Sequence, residues 1–270
     1  MHNVPDYYRL SERISWRLTD FDFDAIDVDN VSDDDRAKIR ETTLIENGIP
    51  HYTNLWDAVD GFAAQWELRQ FNLIWSFEEL RHAESLRLLA EKIGLGLDGE
   101  LDTVKQTSFV KNRNDTCACY ATIGGMLMYT VLQELVTWKF YSKWSKATRS
   151  DFIRRLVGEL AADEMRHHQW FANALPRYFA IARDQPAYRR DVIEAASSFH
   201  MPHHYYALSF PYIDQRWNDY LTTEDFDQMK NKIIKILAFD QEILIAVAAK
   251  AAATDLLVVF GDGETGSTGS

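Results

Sequence analysis

The chain has 270 residues, 46% of them apolar and 13% aromatic, with a formal net charge of −12. That length and apolar content supply one sizeable core, while the acidic balance argues against nucleic-acid binding, which needs a basic face, and against docking on an anionic membrane. The N-terminus has neither a basic n-region nor an apolar h-region, and the two cysteines, Cys117 and Cys119, diverge on a helix as reduced thiols, so the expectation is a cytoplasmic protein.

Residues 1–31 read as an irregular segment with aromatic anchors at Tyr7, Tyr8, Trp16, Phe21 and Phe23 among acids. Ser32-Asp33-Asp34-Asp35 is a helix start, with acids favoured in the first turn. The helix that follows runs to about Val59, and Pro50 within it removes one backbone donor and bends it. A second helix covers about 64–93 and stops at Gly94-Leu95-Gly96; a short one follows near 101–112. The third and fourth long helices cover about 116–146 and 151–183, the latter with a kink at Pro176, and a further helix covers about 186–199. Aromatic loops lead through Trp217 to a last amphipathic helix at about 223–257, and the Gly-Ser-Thr tail 261–270 reads as disordered. The apolar tract Ile243 to Phe260 is broken by Lys250 and Asp255, which makes it a buried helix and not a membrane span. The fold class is all-α, one helical domain over 32–260.

One stretch is written twice: Glu79-Leu80-Arg81-His82 and Glu164-Met165-Arg166-His167. Residues three apart share a helix face, roughly 5–6 Å apart at Cβ, so each copy presents a carboxylate beside an imidazole. A four-helix bundle that binds two metal ions takes Glu-x-x-His from two helices and a lone Glu from each of the other two. In an antiparallel hairpin, residues equally far from the turn lie level. Glu46 and Glu79 have their midpoint beside the turn signal Asp60-Gly61. Glu134 and Glu164 have theirs at Arg149, within the capping sequence Thr148-Arg149-Ser150-Asp151. Both hairpins place their ligands at one depth, about 15 residues or roughly 22–24 Å from the turn. The expected metal ligands are therefore Glu46, Glu79, His82, Glu134, Glu164 and His167.

The flanking Trp75, Phe77, Leu80, Ala83, Leu160, Ala161 and Trp170 make the two motif helices apolar on several sides. Unpaired acids buried there would be costly, whereas a metal pair neutralises them. Four carboxylates and two imidazoles suit iron or manganese better than zinc. Asp163, beside a ligand, is placed to accept the outer ring N–H of a ligand histidine from the facing helix. Arg81 and Arg166 immediately precede the two histidines and join Asp163 around the ligands. Glu78 points about 100° away from Glu79 and is expected at the periphery. His168 is expected to face away from the centre, and His200, His203 and His204, interrupted by Pro202, to be loop residues. Cys117-Ala118-Cys119 lacks a second cysteine pair and argues against zinc. Lys139, Lys143, Lys146, Arg149, Arg154 and Arg155 form a basic run around the turn between the third and fourth helices. It reads either as a mixed-charge helix end or as a dock for an acidic partner.

These residues resemble the soluble acyl-acyl carrier protein desaturases of plants and actinobacteria. The similarity lies in Glu-Glu-x-Arg-His at 78–82, Asp-Glu-x-Arg-His at 163–167, Glu46 four residues before Pro50, and Gln133-Glu134, with weaker echoes at Met201-Pro202 and Thr222-Glu224-Asp225. The resemblance implies a ferritin-like four-helix bundle core with additional C-terminal helices, in a homodimer, with two iron ions per chain on the six ligands named above. It also implies a catalytic hydroxyl at Thr137, near the oxygen-binding face. The implied activity is O₂-dependent insertion of a double bond into an acyl chain on an acyl carrier protein. The hairpin between Glu46 and Glu79 is shorter than in plant members, and chain length and position of attack do not carry over. An apolar groove between helices is the natural acyl site, for which Tyr52, Trp56, Met126 and Leu127 are the expected lining. With no Gly-rich dinucleotide fingerprint in the chain, electrons are expected from a separate ferredoxin-like donor. Rival readings of the same ligand set are a hydroxylase or N-oxygenase, an iron-storage protein and a radical-generating reductase subunit. The roughly 90 residues after the fourth helix exceed what a minimal storage bundle needs.

Overall fold

The computed structural model describes residues 3–106, 121–197, 199 and 220–253. Cys117, Cys119, His200, His203, His204 and the tail 261–270 lie outside them. Among the described residues there are ten α-helices and no strand, only an isolated bridge between Asp60 and Thr122.

The first helix, α1 (Val4–Ile14), corrects the expectation of an irregular N-terminus. Asn3 caps it by accepting from the Asp6 N–H at 2.8 Å, and Pro5 fits the first turn, where no intrahelical donor is needed. Its buried side chains are Val4, Tyr7 and Ser11, one stripe at helical spacing. Three 3₁₀ turns follow, and then α2 (Asp33–Glu46), started by a capping box in which Ser32 Oγ accepts from Asp35 N at 3.0 Å and the Asp35 carboxylate accepts from Ser32 N at 3.3 Å.

Pro50 does not bend a continuous helix. The helix stops at Glu46 and a second one, α3 (Ile49–Asp57), begins with Pro50 in its first turn. A proline lacks the donor an interior position requires but fits a helix start. Asn47 Nδ2 meanwhile closes the end of α2 by donating to Thr43 O at 2.7 Å. The chain then turns at Gly61, whose φ of +81° belongs to the left-handed region that favours glycine, and returns as α4 (Trp66–Lys92).

After α5 (Asp98–Gln106) come two long partners, α6 (Ile123–Ala147) and α7 (Asp151–Ile181). Thr122 and Ser150 cap them by accepting from Gly125 N at 3.2 Å and Ile153 N at 3.3 Å. Pro176 lies inside α7 without ending it. α6 is buried on nearly every side, as a central helix is. It packs along α7 and is covered by α8 (Gln185–Ser197). At Gly124 the α6–α8 approach is so close that a Cβ would lie 2.7 Å from the Tyr188 ring. α2 pairs with α4, and α1 and α3 also pack on α4.

The expected helix 223–257 is two helices, α9 (Thr223–Leu237) and α10 (Gln241–Ala253). Asp240 divides them, capping α10 by accepting from Glu242 N and Ile243 N at 2.9 and 3.1 Å and pairing with Arg189 of α8 at 2.8 Å. No helix among the described residues is long and apolar enough to cross a membrane.

Candidate metal centre

Four helices bring the six expected ligands together. Glu46 ends α2, Glu79 and His82 stand mid-way along α4, Glu134 lies in α6, and Glu164 and His167 lie in α7. All six are buried, and both histidines are fully enclosed. Their ligand atoms form two groups, each within 4.8 Å: Glu46, Glu79, His82 and Glu164 in one, Glu79, Glu134, Glu164 and His167 in the other. Glu79 and Glu164 belong to both groups.

The donor atoms point at common positions, not at one another. His167 Nδ1 lies 2.9 Å from Glu79 Oε1 and 3.4 Å from Glu134 Oε2, and His82 Nδ1 lies 3.4 Å from Glu79 Oε2 and 3.5 Å from Glu164 Oε1. Yet His82 Nδ1, His167 Nδ1 and Glu79 Oε1 are buried and make no hydrogen bond. Buried polar atoms without partners are rare and costly. Here they converge, and the oxygen-rich donor set with one imidazole per group fits a pair of divalent first-row cations.

The titration behaviour follows from that crowding. Burial pushes the carboxyls of Glu46 and Glu134 well up, and the charges of Glu164 and Glu79 push them further. Burial alone would also raise Glu79, but His82 and His167 outweigh it and hold it well below the usual carboxylate range. Both histidines would be depressed by burial but are held well above the ordinary imidazole value, His82 by Glu79 first and His167 by Tyr7 and the surrounding carboxylates.

The outer ring nitrogens are held as well. His82 Nε2 donates to Asp163 Oδ2 at 3.0 Å, and that oxygen also accepts from Arg81 at 2.8 Å and from Trp16 Nε1 at 3.0 Å, while Arg166 pairs with Oδ1. His167 Nε2 donates to Glu78 Oε2 at 2.8 Å. Such partners fix the ring orientation and the tautomer of a ligand histidine. Glu78 is therefore not peripheral as expected: it is 1% exposed, and α1 covers the side of α4 from which it projects. Its carboxyl, which burial would raise, is held down at about 2 by His167, Ser11 and Tyr7. The sequence did carry a signal for it, because Glu78 and Asp163 occupy the same place before the two motif glutamates. Two further contacts escaped the sequence reading. Tyr141 Oη donates to Glu46 Oε1 at 2.6 Å, and Trp75 Nε1 donates to Glu134 Oε1 at 3.1 Å.

The remaining predicted residues are distributed as follows. Thr137 is buried one turn after Glu134, its hydroxyl donating to Gln133 O at 3.0 Å. His168 faces away, with Nδ1 on Val131 O at 2.9 Å. Tyr52, Trp56, Met126 and Leu127 are all buried in the core. A cavity of about 490 Å³ opens elsewhere, between α2, α4 and α5, lined by Thr43, Ala90, Leu97 and Leu101 with Arg87 and Glu91, and none of those four residues reaches it. Within the basic run, Lys139 and Lys143 are held by Asp225 of α9 at 3.0 and 2.5 Å, Arg154 pairs with Asp151, and Arg155 lies over the Phe21 ring at 5.3 Å. Lys146 and Arg149 stand exposed at the α6–α7 turn. On α4, Trp75 and Ala83 are buried as expected, but Phe77 and Leu80 are 67% and 50% exposed.

A family model described as fatty acid desaturase matches residues 23–223. The match contains all six clustered residues and leaves α1 and Trp16 outside. No curated protein matches the chain.

Proposed function

The chain belongs to the fatty acid desaturase family, an oxidoreductase family, and from that premise we propose that it is an O₂-dependent di-iron desaturase acting on an acyl chain carried on an acyl carrier protein or a related thioester. The observation that carries this reading is the pair of overlapping ligand groups with Glu79 and Glu164 common to both. Two iron ions would be held by Glu46, His82, Glu134 and His167 at the ends and by Glu79 and Glu164 between them. Iron at this position would supply the activation of oxygen needed to break an unactivated C–H bond. Overall, an acyl –CH₂–CH₂– unit, O₂, two electrons and two protons give –CH=CH– and two waters.

The chain's own residues do the rest. Asp163 and Glu78 hold the outer nitrogens of the ligand rings, so that both Nδ1 lone pairs face inward. Trp75, whose indole N–H is held by Glu134 at 3.1 Å, stands edge-on against Phe171, so buried aromatic surface lies on that side of the centre and keeps water from it. The Thr137 hydroxyl, on the Glu134 face of α6, can turn from its backbone acceptor to donate a proton at that side.

In this proposal the bundle is ferritin-like, and the two electrons come from a ferredoxin-like protein. The carrier approaches the α6–α7 turn, where Lys146 and Arg149 are exposed. A homodimer would cover the exposed apolar row Leu73, Phe77 and Leu80 of α4, which shares one face at helical spacing. The deciding experiment loads the protein with iron without air, then adds oxygen, a reduced ferredoxin and a panel of acyl carriers. Loss of one pair of hydrogens from an acyl chain, read by mass, supports desaturation. Gain of an oxygen atom with no unsaturated product overturns it in favour of hydroxylation.

A further inference from the structure

The carboxylates behind both ligand histidines are held from one short segment that belongs to none of the four ligand-bearing helices. Glu78, the acceptor of His167 Nε2, also accepts from Tyr7 Oη at 2.6 Å and from Ser11 Oγ. Tyr7 and Ser11 lie one turn apart on the buried stripe of α1, and the Tyr7 ring stands edge-on against Phe71 of α4 at 4.9 Å. Just beyond the helix, Trp16 Nε1 donates to Asp163, the acceptor of His82 Nε2. This segment precedes the residues that the family model matches.

We infer that α1 is a positioning strap for the metal centre: Tyr7 and Ser11, acting through Glu78, fix the ring of His167, so that docking of this helix sets how fast the centre exchanges its metal. The inference rests on the metal reading of the site.

Two physical effects lead to this behaviour. A carboxylate that accepts a ring N–H fixes the tautomer only if the carboxylate is itself fixed, and removing such an outer partner commonly costs 10–100-fold in metal affinity. Glu78 takes four hydroxyl or ring donors: Tyr7, Ser11 and, at 3.3 Å, Ser15 from this segment, and His167 itself. Without Tyr7 and Ser11 the buried carboxylate keeps, besides the ring, only Ser15 at 3.3 Å and the Arg166 guanidinium at 3.9 Å, so it turns more readily and the ring turns with it. Second, α1 buries only Val4, Tyr7 and Ser11 and exposes most of its remaining surface. A helix with so few buried contacts opens at low free energy, without unfolding the bundle. Undocking would withdraw both hydroxyls from Glu78 together.

The test compares wild type with Tyr7→Phe, Ser11→Ala and the double variant, and with Val4→Ala, which loosens the same helix without touching Glu78. Tyr7→Phe keeps the ring against Phe71, and circular dichroism verifies the helical content of each protein. The first readout is the rate at which cobalt(II) is lost to excess chelator. The second is exchange with water of the His167 ring N–H, followed by NMR on the metal-free protein. The double variant is expected to release cobalt about 10–100-fold faster and to exchange that proton faster, and Val4→Ala, which withdraws the same hydroxyls only while α1 is undocked, to move both rates in the same direction by less. Wild-type rates in the double variant, or wild-type rates in Val4→Ala, would overturn the inference. A wild type that binds neither cobalt nor iron overturns the metal reading instead, and the ring proton then still decides whether Tyr7 and Ser11 hold His167.

Discussion

Tyr141 and Glu46 meet across the bundle, the phenol of α6 donating to the last carboxylate of α2 at 2.6 Å with both groups buried. The bond ties the lone glutamate at the break between α2 and α3 to the central helix. Tyr141→Phe keeps the ring and removes the donor, leaving Glu46 buried with one partner fewer. The metal-free variant should be less stable by about 1–3 kcal/mol, the cost of leaving a buried acceptor unmade. Saturating metal should recover part of that loss by binding only the folded state. Thermal melts with and without metal check both expectations.

Thr137→Val should leave metal content unchanged and lower the product formed per electron consumed. The substitution is nearly isosteric, and the hydroxyl it removes is bonded to its own helix at Gln133 O and not to a ligand. A valine variant with wild-type coupling of electrons to product would show that the hydroxyl has no part in turnover.

The contact between α9 and the bundle should fail in acid. The Asp225 carboxyl would be raised by burial, but Lys143, Thr222 and Lys139 outweigh that and hold it well below its ordinary value of 3.8. A depressed carboxyl contributes stability that is complete above the ordinary value and is lost as pH falls through the folded one. Hydrogen exchange of α9 amides should therefore quicken as pH drops below 3.8, after correction for intrinsic exchange. In Asp225→Asn the contact should be weaker at neutral pH and nearly flat across that range.

Carrier docking at the α6–α7 turn is tested by reversing charges that no ion pair among the described residues uses. Lys143 is unsuitable, because its reversal would break the Asp225 contact. Lys146→Glu with Arg149→Glu should weaken binding of an acyl carrier and flatten its salt dependence, since exposed charges act through a screened field. Each residue alone should matter little, about 0–1 kcal/mol. Unchanged carrier affinity in the double variant at low salt would place the dock elsewhere.

The six clustered residues were legible in the sequence for a geometric reason. A three-residue spacing fixes a helix face, and equal distance from a turn fixes depth, so two hairpins specify one layer without any knowledge of packing. What lay outside that reasoning depended on tertiary contact. The N-terminal helix was hidden because its amphipathic stripe is short and its value as a helix comes from docking on α4, although Asn3-Val4-Pro5-Asp6 did hold a capping signal. The 100° rotation that made Glu78 look peripheral is correct, but peripheral to the centre proved to be interior to the protein once α1 covered it. Pro50 was read as a bend in one long helix and 223–257 as a single helix, whereas Pro50 stands in the first turn of a new helix and Asp240 caps another. The exposure of Phe77 and Leu80 could not be foreseen from apolar character alone, which does not say what covers a face.

A di-iron centre is defined by the number and the pairing of its ions. Anaerobic titration of the metal-free protein with iron(II), followed by Mössbauer spectroscopy after oxidation, should reach saturation at two irons per chain with the signature of a coupled pair. His82→Ala and His167→Ala should each lose it. Saturation at one iron, two uncoupled sites, or an intact coupled pair in either histidine variant would contradict a centre in which Glu79 and Glu164 lie between two ions.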